Sequence, residues 1–439
     1  MALTTPTIQL GDYIVIQRQK YTKLHKFGSL DATTMLGKDQ LELRAIHDQP
    51  YCSTFKMTPK EGHQRRGPRL NTLALCSETE MRGIREVLGI SASGVDNRNV
   101  IDNGASQSLR PEEIEQLREK CGESTKIIEK IVENSKTFHA KTEYSQEKYL
   151  KKKEKKYFEY VQIRKPTIRL IAEIYYRQDS EKIMGLRVDT LSQLLSYAGV
   201  CGFGNYLLYE SGTNGLLPAS FLNAMGANTE SNLVHMHPGN VPQKQAIMAL
   251  NFPAEQAQRC ISVNIYSVLR EYYQGAKAVD ENLTTEKIVD TDAIEPCSKK
   301  QKLQDEDDQA VQTAEETSAI PTEPLQKWQL ENQRACALMR THFDSLVIAA
   351  KEHPANIVKA LLPLVKPSRP IVIFSHCKEV LMELYVSLKS GSEVTNLHLT
   401  SNWLRFYQIL PNRTHPEVNM SGNSGYLLSV YTLNTNYLT

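Results

Sequence analysis

From Thr167 onward, apolar residues recur at helical spacing and then condense into strand-length runs, and that repeated alternation leaves few folds open. Ile168, Ile171, Ile174 and Tyr175 share one helix face; Leu191, Leu194, Leu195 and Ala198 share another, with Asp189 near its start. Strands are expected at 205–209, 232–236, 345–349, 371–375 and 395–399. Helices are expected after Pro218 and over 243–250, 326–340, 356–364 and 378–388. Runs this continuously apolar suit strands buried on both faces, as in a doubly wound α/β sheet. An antiparallel ending is expected near 403–409 and 425–431.

The rest of the chain is of another kind. Stretches 8–17, 51–57 and 70–75 are rich in β-branched and aromatic residues with Gly and Pro between them, which predicts a small β-barrel or sandwich over 1–92. A connector follows over 93–165. It starts with a run of turn formers, has Ser108 and Pro111 placed to start a helix, and continues with Ile127, Ile128, Ile131 and Val132 on one helix face. The fold class expected is α/β plus β, with a Rossmann-like domain over 166–439 interrupted at about 277–325. Between Asp280 and Pro324 stand thirteen Asp or Glu against four Lys, with no aromatic between Tyr273 and Trp328, too little apolar surface to offset the entropy of ordering. A disordered insertion is expected there, and its basic cluster Lys299, Lys300 and Lys302 fits a nuclear import signal.

At 439 residues with 40% hydrophobic content, two or three domains with real cores are affordable. No apolar run approaches the roughly 20 residues that span a bilayer, and the N-terminus lacks a secretion signal, so a location inside the cell with no membrane partner is expected. Eight cysteines without a CxxC pair suggest neither a zinc site nor a disulfide framework, only reduced and mostly buried thiols.

The densest charge lies at 145–169. Lys148, Lys151, Lys152, Lys153, Lys155 and Lys156 are followed by Arg164, Lys165 and Arg169, with Tyr149, Tyr157, Phe158 and Tyr160 interleaved. A polyanion relieves such repulsion by exchanging condensed counterions for lysines, and the aromatics can stack on bases or pack inward. Nucleic-acid contact is the expectation, although Glu154 and Glu159 interrupt the run.

Tyr209–Leu216 reads YESGTNGL after a strand, the place where many α/β domains hold a nucleotide or S-adenosylmethionine. Such a cradle needs an acid and a Gly-x-Gly-x-Gly turn, because side chains there fill the cofactor's space. Glu210 and Gly212 are kept; Asn214 and Leu216 stand where further glycines belong. No acid follows the next strand, which offers His235, Met236 and His237, and Ala349-Ala350-Lys351 stands where a polar or acidic residue is expected near the reacting centre. A degenerate cradle holding no cofactor is the reading. A two-residue hairpin turn at Asn214-Gly215 is the plainer alternative, and an active S-adenosylmethionine-dependent RNA methyltransferase is the alternative function. His235-x-His237 alone falls short of the three protein ligands of a catalytic zinc centre, so no metal is expected.

Four marks in order bring a family into view: the loop from Asp96 to Gly104 with Ser106-Gln107, the lysine run ending at Tyr157, Lys165-Pro166-Thr167, and the stretch from Trp403 to Pro416 with Met420-Ser421-Gly422 and Gly425–Ser429. The chain resembles the non-catalytic subunits of tRNA (adenine-58-N1)-methyltransferases. That resemblance implies an N-terminal β-barrel, a methyltransferase-like domain without cofactor, and a nuclear heterotetramer with two catalytic subunits of related fold. The inactive subunit would hold tRNA while its partner methylates the T-loop. It further implies RNA contacts at Asn97, Arg98, Asn99 and Gln107, at the lysines with Tyr157, and at Arg177 and Lys182, and either RNA contacts or a subunit interface at Trp403, Arg405, Tyr407, Arg413 and His415, although Trp403 and Tyr407, alternating in a strand, suit the core better than a ligand.

Overall fold

In a computed structural model of the chain, the described residues are 6–37, 39–60, 69–76, 107–110, 112–114, 116–117, 124–157, 160–275, 326–410, 413–418 and 422–433. The acidic insertion, its import-type cluster and the whole of the 95–104 loop lie outside them.

The N-terminal unit is one seven-stranded sheet built from β1 (Tyr13–Arg18), β2 (Tyr21–Lys26), β3 (Thr33–Leu36), β4 (Asp39–Glu42), β5 (Thr54–Pro59), β6 (Arg69–Leu75) and β7 (Tyr160–Arg164). Its order is β2-β1-β7-β5-β6-β4-β3. All neighbours are antiparallel except β4 and β6, which run parallel. The sheet curls around Ile14, Ile16, Phe27, Phe55, Val161 and Ile163. Its edges β2 and β3 share no ladder among the described residues; Lys23 Nζ instead donates to the Met35 carbonyl at 2.7 Å. Strand β7 comes from the stretch read as connector, yet it occupies the middle of this sheet. Alternating Val161 and Ile163 point into the core, a two-residue period too short to stand out beside the lysine run.

Among the described residues between β6 and β7, helical turns at 112–114 and 116–117 are followed by the helices α1 (Ser124–Glu133) and α2 (Glu143–Tyr157). Ile127, Ile128, Ile131 and Val132 of α1 pack on Phe138 and on Leu150 of α2, which forms a small core of its own. Helix α3 (Ile168–Gln178) then begins at Thr167, whose hydroxyl accepts from the Leu170 N–H at 3.3 Å. Strand β1 joins the two units by simple alternation. Ile14 and Ile16 face the curled sheet's core, while Val15 faces Leu170 and Ile174 of α3. Asn251 adds a second tie, accepting from the Tyr13 N–H and donating to the Tyr13 carbonyl, each at 3.2 Å.

The second unit continues with α4 (Val188–Ala198), β8 (Asn205–Glu210), α5 (Leu216–Met225), β9 (Asn232–His237), α6 (Gln245–Ala249), α7 (Ala254–Gln258), β10 (Cys260–Asn264) and α8 (Ile265–Gln274). After the insertion come α9 (Lys327–Arg340), β11 (Ser345–Ala349), α10 (Ala355–Leu361), β12 (Pro370–Ser375), α11 (Lys378–Ser390), β13 (Val394–Ser401), the hairpin β14 (Tyr407–Leu410) and β15 (Arg413–Pro416), and β16 (Tyr426–Thr432). The main sheet has the order β10-β9-β8-β11-β12-β16-β13, parallel except for β16. It is a Rossmann-like doubly wound sheet. Both faces are covered: Leu207 and Tyr209 of β8 enter one core, Tyr206 and Leu208 the other, and each fully buried aliphatic side chain contributes about 1.5–3 kcal/mol.

The antiparallel ending is divided in a way the sequence did not suggest. Strand β16 joins the sheet, whereas among the described residues β14 and β15 pair only with each other. Strand β10 and helix α8 were also missed, being short and close to the insertion. The thiols differ from expectation too: of the described cysteines Cys336 is buried, while Cys52 and Cys377 are exposed. No helix among the described residues is long and apolar enough to cross a membrane.

Candidate functional site

The sheet order reverses at β8, which has β9 on one side and β11 on the other, so the crevice at the C-terminal ends of β8 and β11 is where an α/β sheet of this kind holds a ligand. The YESGTNGL stretch sits there as the turn from β8 into α5, not as a hairpin. Its backbone needs glycine at two places. Gly212 has φ +139° and Gly215 has φ +72°, and Asn214 adopts the left-handed φ +54° that asparagine tolerates.

Leu216 does not crowd this turn. It is the first residue of α5 and is wholly buried with Leu217, Phe221 and Leu222, away from the space a ligand would take, because a helix directs its apolar residues toward the sheet it covers. The crowding comes from elsewhere. Gln243, in the loop after β9, accepts the Asn214 N–H through Oε1 at 2.7 Å, and the Asn214 carbonyl in turn accepts the Ala246 N–H at 3.1 Å. A methyl group on Gly215 would lie 2.6 Å from the Gln243 carbonyl oxygen. A methyl group on Gly212 would lie 3.7 Å from both Gln243 Nε2 and Lys351 Nζ. Lys351 is held from the β11 side, where its N–H donates to Ser211 Oγ at 2.6 Å. Gly212, Thr213 and Gly215 are therefore buried, while Gln243 and Lys351 are exposed above them.

Glu210 turns inward as well. Its side chain is 2% exposed, with Oε2 accepting from the Thr213 hydroxyl and Oε1 3.2 Å from His235 Nε2, a charge contact that lies off the line of a good hydrogen bond. His235 is fully buried, with Nδ1 3.3 Å from Ser262 Oγ. Burial alone would lower its pKa, but Cys260 and Glu210 outweigh it and the net shift is upward. His237 at the end of β9 goes the other way: burial, then the neighbouring His235, push it down to about 4. No group of three metal-ligating side chains converges among the described residues.

The second candidate is the basic helix α2. Leu150 is buried, and Tyr149 rests on Phe138 with ring centroids 5.5 Å apart, which leaves Lys148 and Lys152 exposed one turn apart on the outer face. Lys153 and Lys141 each hold their ammonium 5.1 Å from the centre of the Tyr149 ring. Thus Tyr149 packs inward rather than offering a free stacking face. The side chains of Lys151, Lys155, Lys156 and Tyr157, like Asn97, Arg98 and Asn99, lie outside the described residues. Gln107 bridges to Ser135 through its backbone, beside α1.

The remaining predicted contacts scatter. Arg177 serves as a staple between the units: its guanidinium donates to the Thr22 hydroxyl at 3.1 Å and to the Thr22 carbonyl, and lies 5.1 Å from the centre of the Tyr21 ring. Lys182 reaches Asp179 at 3.4 Å. Trp403 and Tyr407 are not core residues; they are 73% and 53% exposed, because the β14–β15 hairpin stands off the main sheet. Arg405 lies at the root of that hairpin, and Arg413 starts β15 with its side chain outside the described set. Glu417 links the hairpin to Lys20 of the N-terminal sheet at 3.0 Å.

Arg187 anchors this arm, and the sequence reading passed over it. Its guanidinium forks onto Asp189 at 2.7 and 2.8 Å and donates to the Gly422 carbonyl at 2.9 Å, with the Asn402 carbonyl at 3.4 Å. Both ends of the 402–422 excursion are thereby tied to the start of α4. Burial by itself would raise the Asp189 pKa, but the Arg187 fork overrides it and holds the carboxyl below its ordinary range. An Arg-x-Asp spacing at a helix start is the signal that could have found the pair, whereas the contact to residue 422 leaves no trace in sequence order.

The model of the Gcd10p family matches residues 7–329, which takes in the curled sheet, the basic helix and the glycine turn. The chain belongs to the Gcd10p family. Among its relatives, the tRNA (adenine(58)-N(1))-methyltransferase non-catalytic subunit TRM6 of Mus musculus is 32% identical over 373 residues, covering 78% of this chain and 74% of the relative. The corresponding Dictyostelium discoideum subunit is 30% identical over 430 residues, covering 97% and 79%. That of Debaryomyces hansenii is 26% identical over 344 residues, covering 77% and 67%. The match to the Dictyostelium relative runs through the C-terminal hairpin as well as the family-model region.

Proposed function

We propose that this chain is the non-catalytic, tRNA-binding subunit of a methyltransferase complex that forms N1-methyladenosine at position 58 in the T-loop of tRNA. A separate catalytic subunit of related fold supplies S-adenosylmethionine and the base that takes the proton, two subunits of each kind assembling into a nuclear heterotetramer. This chain contributes position. Lysines along α2, the 97–107 loop, and Arg405 with Arg413 on the C-terminal arm would hold phosphates and orient the folded RNA, and the curled N-terminal sheet would act as a barrel-like support for them.

The observation that carries the reading is the burial of the glycine turn. A cofactor-binding turn must present its backbone to the ligand, whereas here Gly212, Thr213 and Gly215 lie beneath Gln243 and Lys351, and Glu210 is turned toward His235 and Thr213. That arrangement favours a chain that binds no S-adenosylmethionine, so no chemical step is assigned to this chain, and the same burial speaks against an active methyltransferase in its own right. The test is tRNA binding by the assembled complex with Lys148, Lys151, Lys152, Lys155 and Lys156 changed to Ala. Affinity is expected to fall for every tRNA alike, and the slope of log K against log salt to flatten by about 0.7–0.9 for each phosphate the lysines no longer neutralise. Unchanged affinity and slope would remove α2 from the RNA surface.

A further inference from the structure

We infer that Gln243 is an intramolecular substitute for a ligand: its side-chain carbonyl takes the Asn214 N–H that a bound cofactor would otherwise order, and so keeps the β8–α5 turn closed in a subunit that binds none. The inference rests on the cofactor-free reading above and assigns the closure to one residue. Three contacts support it. The Asn214 N–H points to Gln243 Oε1 at 2.7 Å; the Gln243 main chain passes within 2.6 Å of where a Gly215 side chain would begin; and Gln243 Nε2 and Lys351 Nζ each lie 3.7 Å from where a Gly212 side chain would begin. The closure continues on the far side of Asn214, whose carbonyl accepts the Ala246 N–H at 3.1 Å and ties the turn to the start of α6.

The physical need is plain. The turn carries backbone in left-handed conformations at Asn214 and Gly215 and leads into the first turn of α5, where the Leu216 and Leu217 N–H groups are already taken by the Thr213 carbonyl and hydroxyl, so the Asn214 N–H is the donor that an acceptor from outside the turn has to meet. Without such an acceptor, the turn would fray and expose the Leu216 and Leu217 core beneath it. Gln243 supplies the missing acceptor from a neighbouring loop, and Lys351 covers the other side from β11. Gln243 is thus a positioning residue for the whole crevice, acting through the turn rather than on any substrate.

Hydrogen exchange of the full chain in complex with its catalytic subunit tests this, with Gln243→Leu and Gln243→Glu compared. Leucine keeps the bulk and removes the acceptor; glutamate restores it. Exchange across 211–216 is expected to rise about fivefold in Gln243→Leu, as befits the removal of one hydrogen bond, to return toward the parent value in Gln243→Glu, and to stay unchanged in β8 and β11 in both. Equal protection in the parent and Gln243→Leu, or weakened protection in both variants, would overturn the inference while leaving the proposed function standing. Titration of the parent chain with S-adenosylhomocysteine separates the two ideas: micromolar binding would defeat the cofactor-free reading itself, whatever the exchange data show.

Discussion

Replacing Arg187 with Ala should release the C-terminal arm without dissolving the sheet. Arg187 is 5% exposed, and its removal deletes a forked ion pair to Asp189 and a charged hydrogen bond to the Gly422 carbonyl, the 3.4 Å approach to Asn402 being too long to add much. Breaking a buried pair costs about 3–5 kcal/mol. The Asp189 side chain keeps 21% exposure, so water relieves part of the penalty and the lower end applies, about 3 kcal/mol. Within an α/β unit of this size that loss lowers Tm by about 6–12 °C. Calorimetry reads the shift, and hydrogen exchange localises it: protection should fall first across 402–410 and 422–425 and in the first turn of α4. Arg187→Lys keeps the charge but cannot fork, so it should recover less than half of the loss. A Tm drop under about 2 °C for Arg187→Ala, or exchange that rises first in β8 and β11, would refute the view that this guanidinium clasps the arm.

Two further predictions follow from the buried turn and its histidines. Leu216→Gly restores the residue a methyltransferase turn would carry, yet it should confer no S-adenosylmethionine binding and should cost about 3–5 kcal/mol in urea unfolding, because the side chain fills the core under the sheet; acquired cofactor binding would show that Leu216 had been the obstacle after all. The histidines set a pH optimum. His235 is shifted upward, so its contribution is full below the ordinary histidine pKa of about 6.5 and is lost as pH rises through the higher folded value. His237 is shifted down to about 4, so its contribution is full above about 6.5 and is lost as pH falls toward 4. Stability should peak near neutral pH and decline on both sides, and His237→Asn should flatten the acid limb alone in urea titrations between about pH 4.5 and 7; an unaltered acid limb would count against the assignment.

Much of the fold was legible in the order of residues. Continuous apolar runs such as Leu346–Ala349 require cover on both faces, and the helical periods between them can only supply it from either side, so the doubly wound sheet followed from local pattern. Helix α1 was legible for the same reason, since Ile127, Ile128 and Ile131 recur at helical period. Composition alone separated the acidic insertion from the rest. The expectation of a degenerate glycine turn in a subunit without cofactor was itself drawn from YESGTNGL and from the missing acids after the next strands.

What closes that turn could not. Leu216 was expected in the cradle and points into the core, because the helix beginning there sets its direction; the space is taken by Gln243 and Lys351, which come from loops after two other strands. Likewise β7 belongs to a sheet whose other strands ended far upstream, Arg177 and Arg187 are clasps, and Trp403 stands exposed just before a hairpin that the main sheet leaves aside. The division has one physical cause. Burial periodicity and chain entropy act within a few residues and are written along the sequence, while an acceptor meeting a donor across two crossovers depends on where the packed elements bring distant loops, and only the tertiary structure decides that.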